Sequence, residues 1–277
     1  MNDYRGYQPL RPIQLEHDFE AATSHLEGKH PDSTHRDRTI DENAVIMAPS
    51  TKIIAALFKQ RIDPQWQKQA FEVGLSVNNR IDNRPGVIGT ESLLRINKDG
   101  TLGTYFATAN GVMDILDDDD ARDGLFGAVK GRGTRAARLS PLTTKHPEWL
   151  EQLRKPIELA DQLYSKYLPT PYAIQLAEVE RASSLLRLWH TAFSSAYIIR
   201  NVRSGYHRDG NLPGVMSVLM PFGQFTGAEL VVPRWRIAFA LQPGDVLFFD
   251  AEEFHGNLPF EGERASLICY CTGDLSK

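Results

Sequence analysis

Two histidines and one carboxylate stand out for the chemistry they could do together. His207 and Asp209 lie two apart in Tyr206-His207-Arg208-Asp209, and His255 follows in EEFHGNLPF. Residues two apart on a strand point to the same side, so the first pair can aim at one point. Two histidines and a carboxylate on one face are the ligand set of non-heme Fe(II). That set leaves three coordination positions open, enough for a bidentate oxo-acid and for O2. Zinc sites of this composition usually draw both histidines from one helix turn, and no two histidines here are four apart. Arg264 falls nine residues after His255. A fixed guanidinium there could clamp a dicarboxylate through paired hydrogen bonds. Taken singly, His207 reads as a solvated strand residue and His255 as a turn residue. Taken with Arg264 and the surrounding strand pattern, they read as a metal site.

The elements that must position these residues change character along the chain. After about Ala196 the sequence becomes short β-branched runs separated by Gly and Pro: YIIRNV, GVMSVLMPF, AELVVP, WRIAFAL, DVLFFD and ASLICYC. Such spacing predicts an antiparallel sandwich or barrel. Pro243-Gly244-Asp245 opens the VLFFD strand that leads to His255. Upstream, STKIIAALFKQRI at 50–62 predicts a helix capped by Ser50 or Thr51, with Ile54, Leu57 and Phe58 on one face. Residues 72–110 predict strands and loops, with a turn at Asn97-Lys98-Asp99-Gly100. Residues 147–168 predict a helix broken or kinked at Pro156, and 175–192 a further amphipathic stretch. Residues 1–45 are polar and carry His17, His25, His30 and His35 at spacings that match no ligand pattern. They predict a loosely ordered arm. The expected organisation is that arm followed by one domain over 46–277. Within it, 46–195 would supply support and substrate-binding elements, and 196–277 the metal-binding β core.

Composition bounds the rest. The 277 residues are 42% hydrophobic and 24% charged, ordinary for a folded chain. No apolar run approaches 18 residues, so no membrane span is expected. The first 20 residues do not read as a secretory signal. Cys269 and Cys271 are too few for a disulfide framework and read as buried apolar cysteines in a reducing, intracellular setting. The net charge of -4 argues against coating nucleic acid by bulk charge. A local exception is KGRGTRAARL, where Lys130, Arg132, Arg135 and Arg138 stand among glycines with no acid between them. That pattern suits contact with a phosphate backbone. Asp117 to Asp120 read as a solvated loop.

The stretch from SGYHRDGNLPG through GERASLICYC resembles the core of the TET/JBP dioxygenases, most closely over 196–272. The parts that carry the resemblance are HRD, FTGAELVVP, PGDVLFF and HGN with Arg264 beyond. A weaker likeness runs through Asn78-Asn79-Arg80, KDGTL, GRGTRAARLSPLT and PEWL. Where the family usually has G-G-E-L, this chain has Gly227-Ala228-Glu229-Leu230. Where members often carry an acid that reads the base amino group, it has Gly210-Asn211-Leu212. The resemblance implies an α+β protein, with a double-stranded β-helix (jelly-roll) core and flanking helices from the N-terminal half. It implies Fe(II) held by His207, Asp209 and His255, and 2-oxoglutarate held by Arg264 and Arg203. It implies oxidation of a pyrimidine methyl group, with 5-methylcytosine in DNA expected and the same chemistry on thymine in DNA, RNA, a free nucleotide or another small molecule as alternatives. A buried target base must be flipped out. Asn211, Asn78, Asn79 and Asn201 are then candidate base readers, and Arg132, Arg135 and Arg138 candidate phosphate contacts. A monomer is expected, cytoplasmic or nuclear according to its source.

Overall fold

In the computed structural model, Ile53–Phe58 is a strand, not the helix its apolar spacing predicts. The structure describes residues 10–20, 23–27, 29–80, 94–96, 102–104, 113–115, 122–130, 136–210, 212–273 and 275. The reason lies in burial on both faces. Ala56 and Phe58 pack with the helices, while Ala55 and Leu57 pack toward a second sheet. A strand covered on both sides needs apolar residues at every position, and over six residues that pattern cannot be told from one helix face.

The strand sits inside a ten-stranded sheet. Ala44–Met47 and Val246–Phe249 flank it, both antiparallel. Beyond Val246–Phe249 come the long strands Ser217–Gly227 and Phe260–Tyr270, then Ser195–Arg200 and Arg122–Val129. Facing this sheet is a smaller one of four strands: Gly256–Asn257, Leu230–Val232, Ile237–Phe239 and Arg38–Ile40. The apolar layer between the sheets includes Ile46, Leu57, Leu219, Val232, Phe239 and Leu247. This is the expected α+β architecture, a double-stranded β-helix with helices on its outer face.

The polar N-terminal segment is not a loose arm where it is described. Arg11–Gln14 pairs in parallel with Ala44–Met47, and Arg38–Ile40 pairs in parallel with Ile237–Phe239. Each strand turns only one residue inward, Ile13 and Ile40, so no apolar period shows in the sequence. Backbone pairing to a sheet edge supplies the rest of the stabilisation.

The outer face of the large sheet is covered by Pro64–Ser76, Pro147–Tyr167 and Pro169–Arg181. The first begins just past the predicted helix at 50–62 and runs into the region at 72–110 predicted as strands and loops. Its start is marked by Asp63, whose carboxylate accepts from the Gln65 N–H at 2.8 Å, followed by Pro64 in the first turn. Gly74 brings this helix close to the sheet, since a Cβ there would lie 2.7 Å from Ala265 Cβ. Pro147–Tyr167 runs through Pro156 as one helix, so of the expected break or kink there is no break. Pro156 is itself buried beside Leu153, Ile157 and Ala160, and that burial offsets the one lost backbone hydrogen bond. The amphipathic stretch at 175–192 is helical only to Arg181, followed by a short 3-10 turn at Ser184–Leu186. Leu94–Ile96 and Leu102–Thr104 pair antiparallel, as a hairpin requires. The turn at 97–100, like the acidic run at 117–120, lies outside the described residues. Among the described residues no helix is long and apolar enough to cross a membrane.

Candidate metal centre

The two histidines meet through their backbones before their rings meet. His207 N–H donates to the His255 carbonyl at 3.1 Å, and His255 N–H donates back to the His207 carbonyl at 3.0 Å. This bridge sets the ring centroids 4.3 Å apart. Each ring is oriented by the same device. His207 Nδ1 lies 2.9 Å from the Gly205 carbonyl oxygen, and His255 Nδ1 lies 2.9 Å from that of Glu253. A Nδ1–H donating to a carbonyl leaves Nε2 as the lone-pair nitrogen, the usual arrangement of a ligating histidine. Asp209 is not on a strand, as the alternation argument assumed. It lies in the loop after the bridge, held where its N–H donates to the Ala251 carbonyl at 2.9 Å. Its Oδ1 is 3.7 Å from His207 Nε2. One ligand atom from each of His207, Asp209 and His255 falls within 4.8 Å of the others.

Burial shapes the electrostatics. His255 is 4% exposed and its ring meets Phe249 edge-on. Burial, and then the neighbouring His207, push its pKa down to about 4, so it is neutral at pH 7. A neutral imidazole can bind a metal without first losing a proton.

Arg264 sits inside the Phe260–Tyr270 strand. It is 3% exposed, with Phe225 and Phe260 around its guanidinium. Its Nε has no hydrogen-bond partner and no carboxylate pairs with it among the described residues. Burial alone pulls its pKa down to about 10. Ser266, two residues on, is fully buried and its Oγ is likewise without a partner. Sequence reasoning missed Ser266; the only signal was its place two residues from Arg264. The alternate residues Ala265, Leu267 and Cys269 pack with the helices. Arg264 and Ser266 therefore face the space between the sheets, where Phe249 and His255 also lie. A buried cation without a counter-charge is costly. A dicarboxylate would complete it, and the nitrogen–oxygen donor set beside it suits Fe(II). The residues present fit both groups.

The other expected residues are placed as follows. Arg203 is half-buried on Val202–Ser204, leading toward His207, and its Nη2 donates to the Pro31 carbonyl at 3.4 Å. Asn201 serves Arg264: its Oδ1 accepts from the Arg264 N–H at 2.9 Å, and its own N–H donates to the Arg264 carbonyl at 2.8 Å. Its positive φ of 51° is a conformation asparagine tolerates well. Asn78 is exposed just past the helix end, and the Asn79 backbone pairs with Asp123. Arg138 is exposed on a two-residue strand paired with Val129. Arg132, Arg135 and Asn211 lie outside the described residues. Cys269 and Cys271 are buried free thiols, with burial pushing both pKa values up.

Comparison with known proteins agrees with this geometry. A curated relative, the bifunctional helicase and thymine dioxygenase JBP2 of Trypanosoma brucei brucei, is 36% identical over 121 residues, 41% of this chain and 11% of its own length. The thymine dioxygenase JBP1 of the same organism is 28% identical over 150 residues, 52% of this chain and 17% of its own. The chain thus spans under a fifth of either relative. In fold it is similar to NgTET1 solved in complex with 5mC DNA, with a TM-score of 0.61 and 12% identity, covering 97% of this chain and 84% of that one. The family model for the oxygenase domain of the 2OGFeDO superfamily matches residues 125–272, more than half of the 277. With that match and the His207, Asp209, His255 cluster in place, the chain belongs to the Tet_JBP family of 2-oxoglutarate- and Fe(II)-dependent dioxygenases.

Proposed function

We propose that this protein oxidises the methyl group of 5-methylcytosine in DNA, using Fe(II) and 2-oxoglutarate. The observation that carries the chemistry is the orphaned Arg264–Ser266 pair facing the same inter-sheet space as His255. His207, Asp209 and His255 would hold the metal. Arg264 would take the far carboxylate of 2-oxoglutarate, Ser266 Oγ would donate to it, and Arg203 would serve the near end. Bound there, the metal and oxo-acid supply the oxidising power for a C–H bond that no side chain can oxidise. The chain's own part is to bind, orient and keep water out.

A methyl group inside a duplex is out of reach, so the base must leave the stack at a cost of about a few kcal/mol. Asn78, Asn79 and Asn211 would read its edge, whereas Asn201 has its carbonyl oxygen engaged by Arg264. Lys130, Arg132, Arg135 and Arg138 would grip phosphates.

A second reading, thymine in DNA, is favoured by the names of the two curated relatives. Thymine carries the same methyl group and differs at the base edge, so the two readings part at the edge readers. The deciding experiment incubates the protein with Fe(II), 2-oxoglutarate and duplex DNA containing 5-methylcytosine, then digests the DNA and weighs the nucleosides. 5-Hydroxymethylcytosine supports the first reading and 5-hydroxymethyluracil the second. Unchanged nucleosides, with succinate formed from 2-oxoglutarate only when a small-molecule substrate is supplied, would sink both. Changing Arg132, Arg135 and Arg138 together to Ala should lower the salt slope of DNA binding by about one unit per lost contact. A normal slope would remove this segment from the DNA interface.

A further inference from the structure

Residues 26–35 lie outside the stretch that matches the family model. Several of them nonetheless converge on the backbone that carries the two histidine ligands. The Lys29 carbonyl accepts from the Tyr206 N–H at 2.8 Å. The Tyr206 ring, next in sequence to His207, is fully buried in a cluster with Leu26, Phe254 and Leu258. Its hydroxyl shares a 3.0 Å hydrogen bond with His35 Nδ1, and the two rings lie 5.4 Å apart. Pro31 closes on the other ligand. A Cβ on Gly256, next to His255, would lie 2.8 Å from Pro31 Cγ and 2.9 Å from the Gly205 carbonyl carbon. Three chain segments meet there, so the position after His255 admits only glycine.

His207 and His255 are joined by an isolated bridge, not by a ladder. Their ligating separation therefore depends on what holds each flank. Residues 26–35 hold both, through Tyr206 on one side and Gly256 on the other. We infer that His35, Pro31 and Tyr206 are positioning residues of the metal centre. The N-terminal segment is then part of the site, with no atom of it touching the metal. This rests on the metal-centre reading. Partners behind the ligands change metal affinity by about 10- to 100-fold when removed.

The test uses the full chain, stripped of metal by chelation, with Co(II) as probe followed by its visible absorption. Thermal unfolding is recorded in parallel with chelator present. His35→Ala and Tyr206→Phe should each weaken Co(II) binding about tenfold. The double variant should be no weaker than the weaker single one, since both remove the same hydrogen bond. His35→Gln, which keeps a partner for the hydroxyl, should recover most of the affinity. If His35→Ala lowers the melting temperature but leaves Co(II) affinity at the parent value, the segment is only structural and the inference falls. If Tyr206→Phe does not fold, the half-buried His35 and its Gln rescue still decide. Asp209→Ala separates the two levels. Unchanged Co(II) binding in that variant would overturn the metal-centre reading itself, whereas lost binding there with normal binding in His35→Ala overturns the positioning role alone.

Discussion

The two faces of the Phe260–Tyr270 strand differ in kind. One face presents Ala265, Leu267 and Cys269 to the helices, in an apolar cluster that also contains Phe126, Phe193, Ile198 and Phe248. The other presents Arg264 and Ser266, both buried and both with unpartnered polar atoms. Side chains 3.3 Å or so apart along one backbone thus meet opposite requirements. Packing on the helix side stabilises the fold, and the unmet hydrogen-bonding capacity on the other side is what the proposed dicarboxylate would use. A buried unsatisfied group in a native fold calls for such an explanation.

Four substitutions break or sharpen this contrast. The largest effect belongs to the inter-sheet side. Asp209→Ala removes one of the three proposed metal ligands and should cut succinate formation roughly 10³-fold or more, as expected for several kcal/mol of lost metal contribution. The melting temperature of the metal-free protein should stay put, because Asp209 is partly exposed. Next comes the helix side. Leu267→Ala at a fully buried position should lower the unfolding free energy by about 2–5 kcal/mol in urea titration, with the Michaelis constant for 2-oxoglutarate unchanged. A shift in that constant would show that the two faces are coupled.

Arg264→Met should do the reverse. The apparent Michaelis constant for 2-oxoglutarate should rise roughly 10- to 100-fold, the equivalent of about 1.5–3 kcal/mol for charge-assisted bonds. The ligand-free protein should melt at the same temperature or higher, because an uncompensated buried cation has been replaced by an apolar chain. A clear drop in melting temperature would mean that Arg264 contributes to the fold. Ser266→Ala is the smallest change. It should raise the same constant about fivefold, for about 1 kcal/mol, with stability nearly constant. No change would confine the dicarboxylate contact to Arg264.

Different physical scales explain which features could be read in advance. The His207, Asp209 and His255 cluster was legible because ligand chemistry restricts residue type and a two-residue spacing keeps His207 and Asp209 close, although Asp209 reaches the cluster from a loop and not from a strand. The strands after Ala196 were legible because Gly and Pro punctuate them. Ile53–Phe58 was not, because double-sided burial leaves no period to read. Pro64–Ser76 carried a readable Asp-Pro start at Asp63 and Pro64, which its Gln-rich first turn obscured. The strands at 11–14 and 38–40 each bury one residue and owe their existence to the sheet edges they join.

The sequence by itself determined the candidate donor set, the β character of the second half and the candidate arginine beyond His255, since each is a matter of residue type and short-range spacing. Only the tertiary structure decided that Arg264 is buried with Ser266 beside it, that Asn201 is tied to the Arg264 backbone, and that residues 26–35 reach the histidine bridge. Those features join residues tens to hundreds of positions apart. Burial and partner choice depend on every segment that closes over a side chain, and no local pattern carries that information.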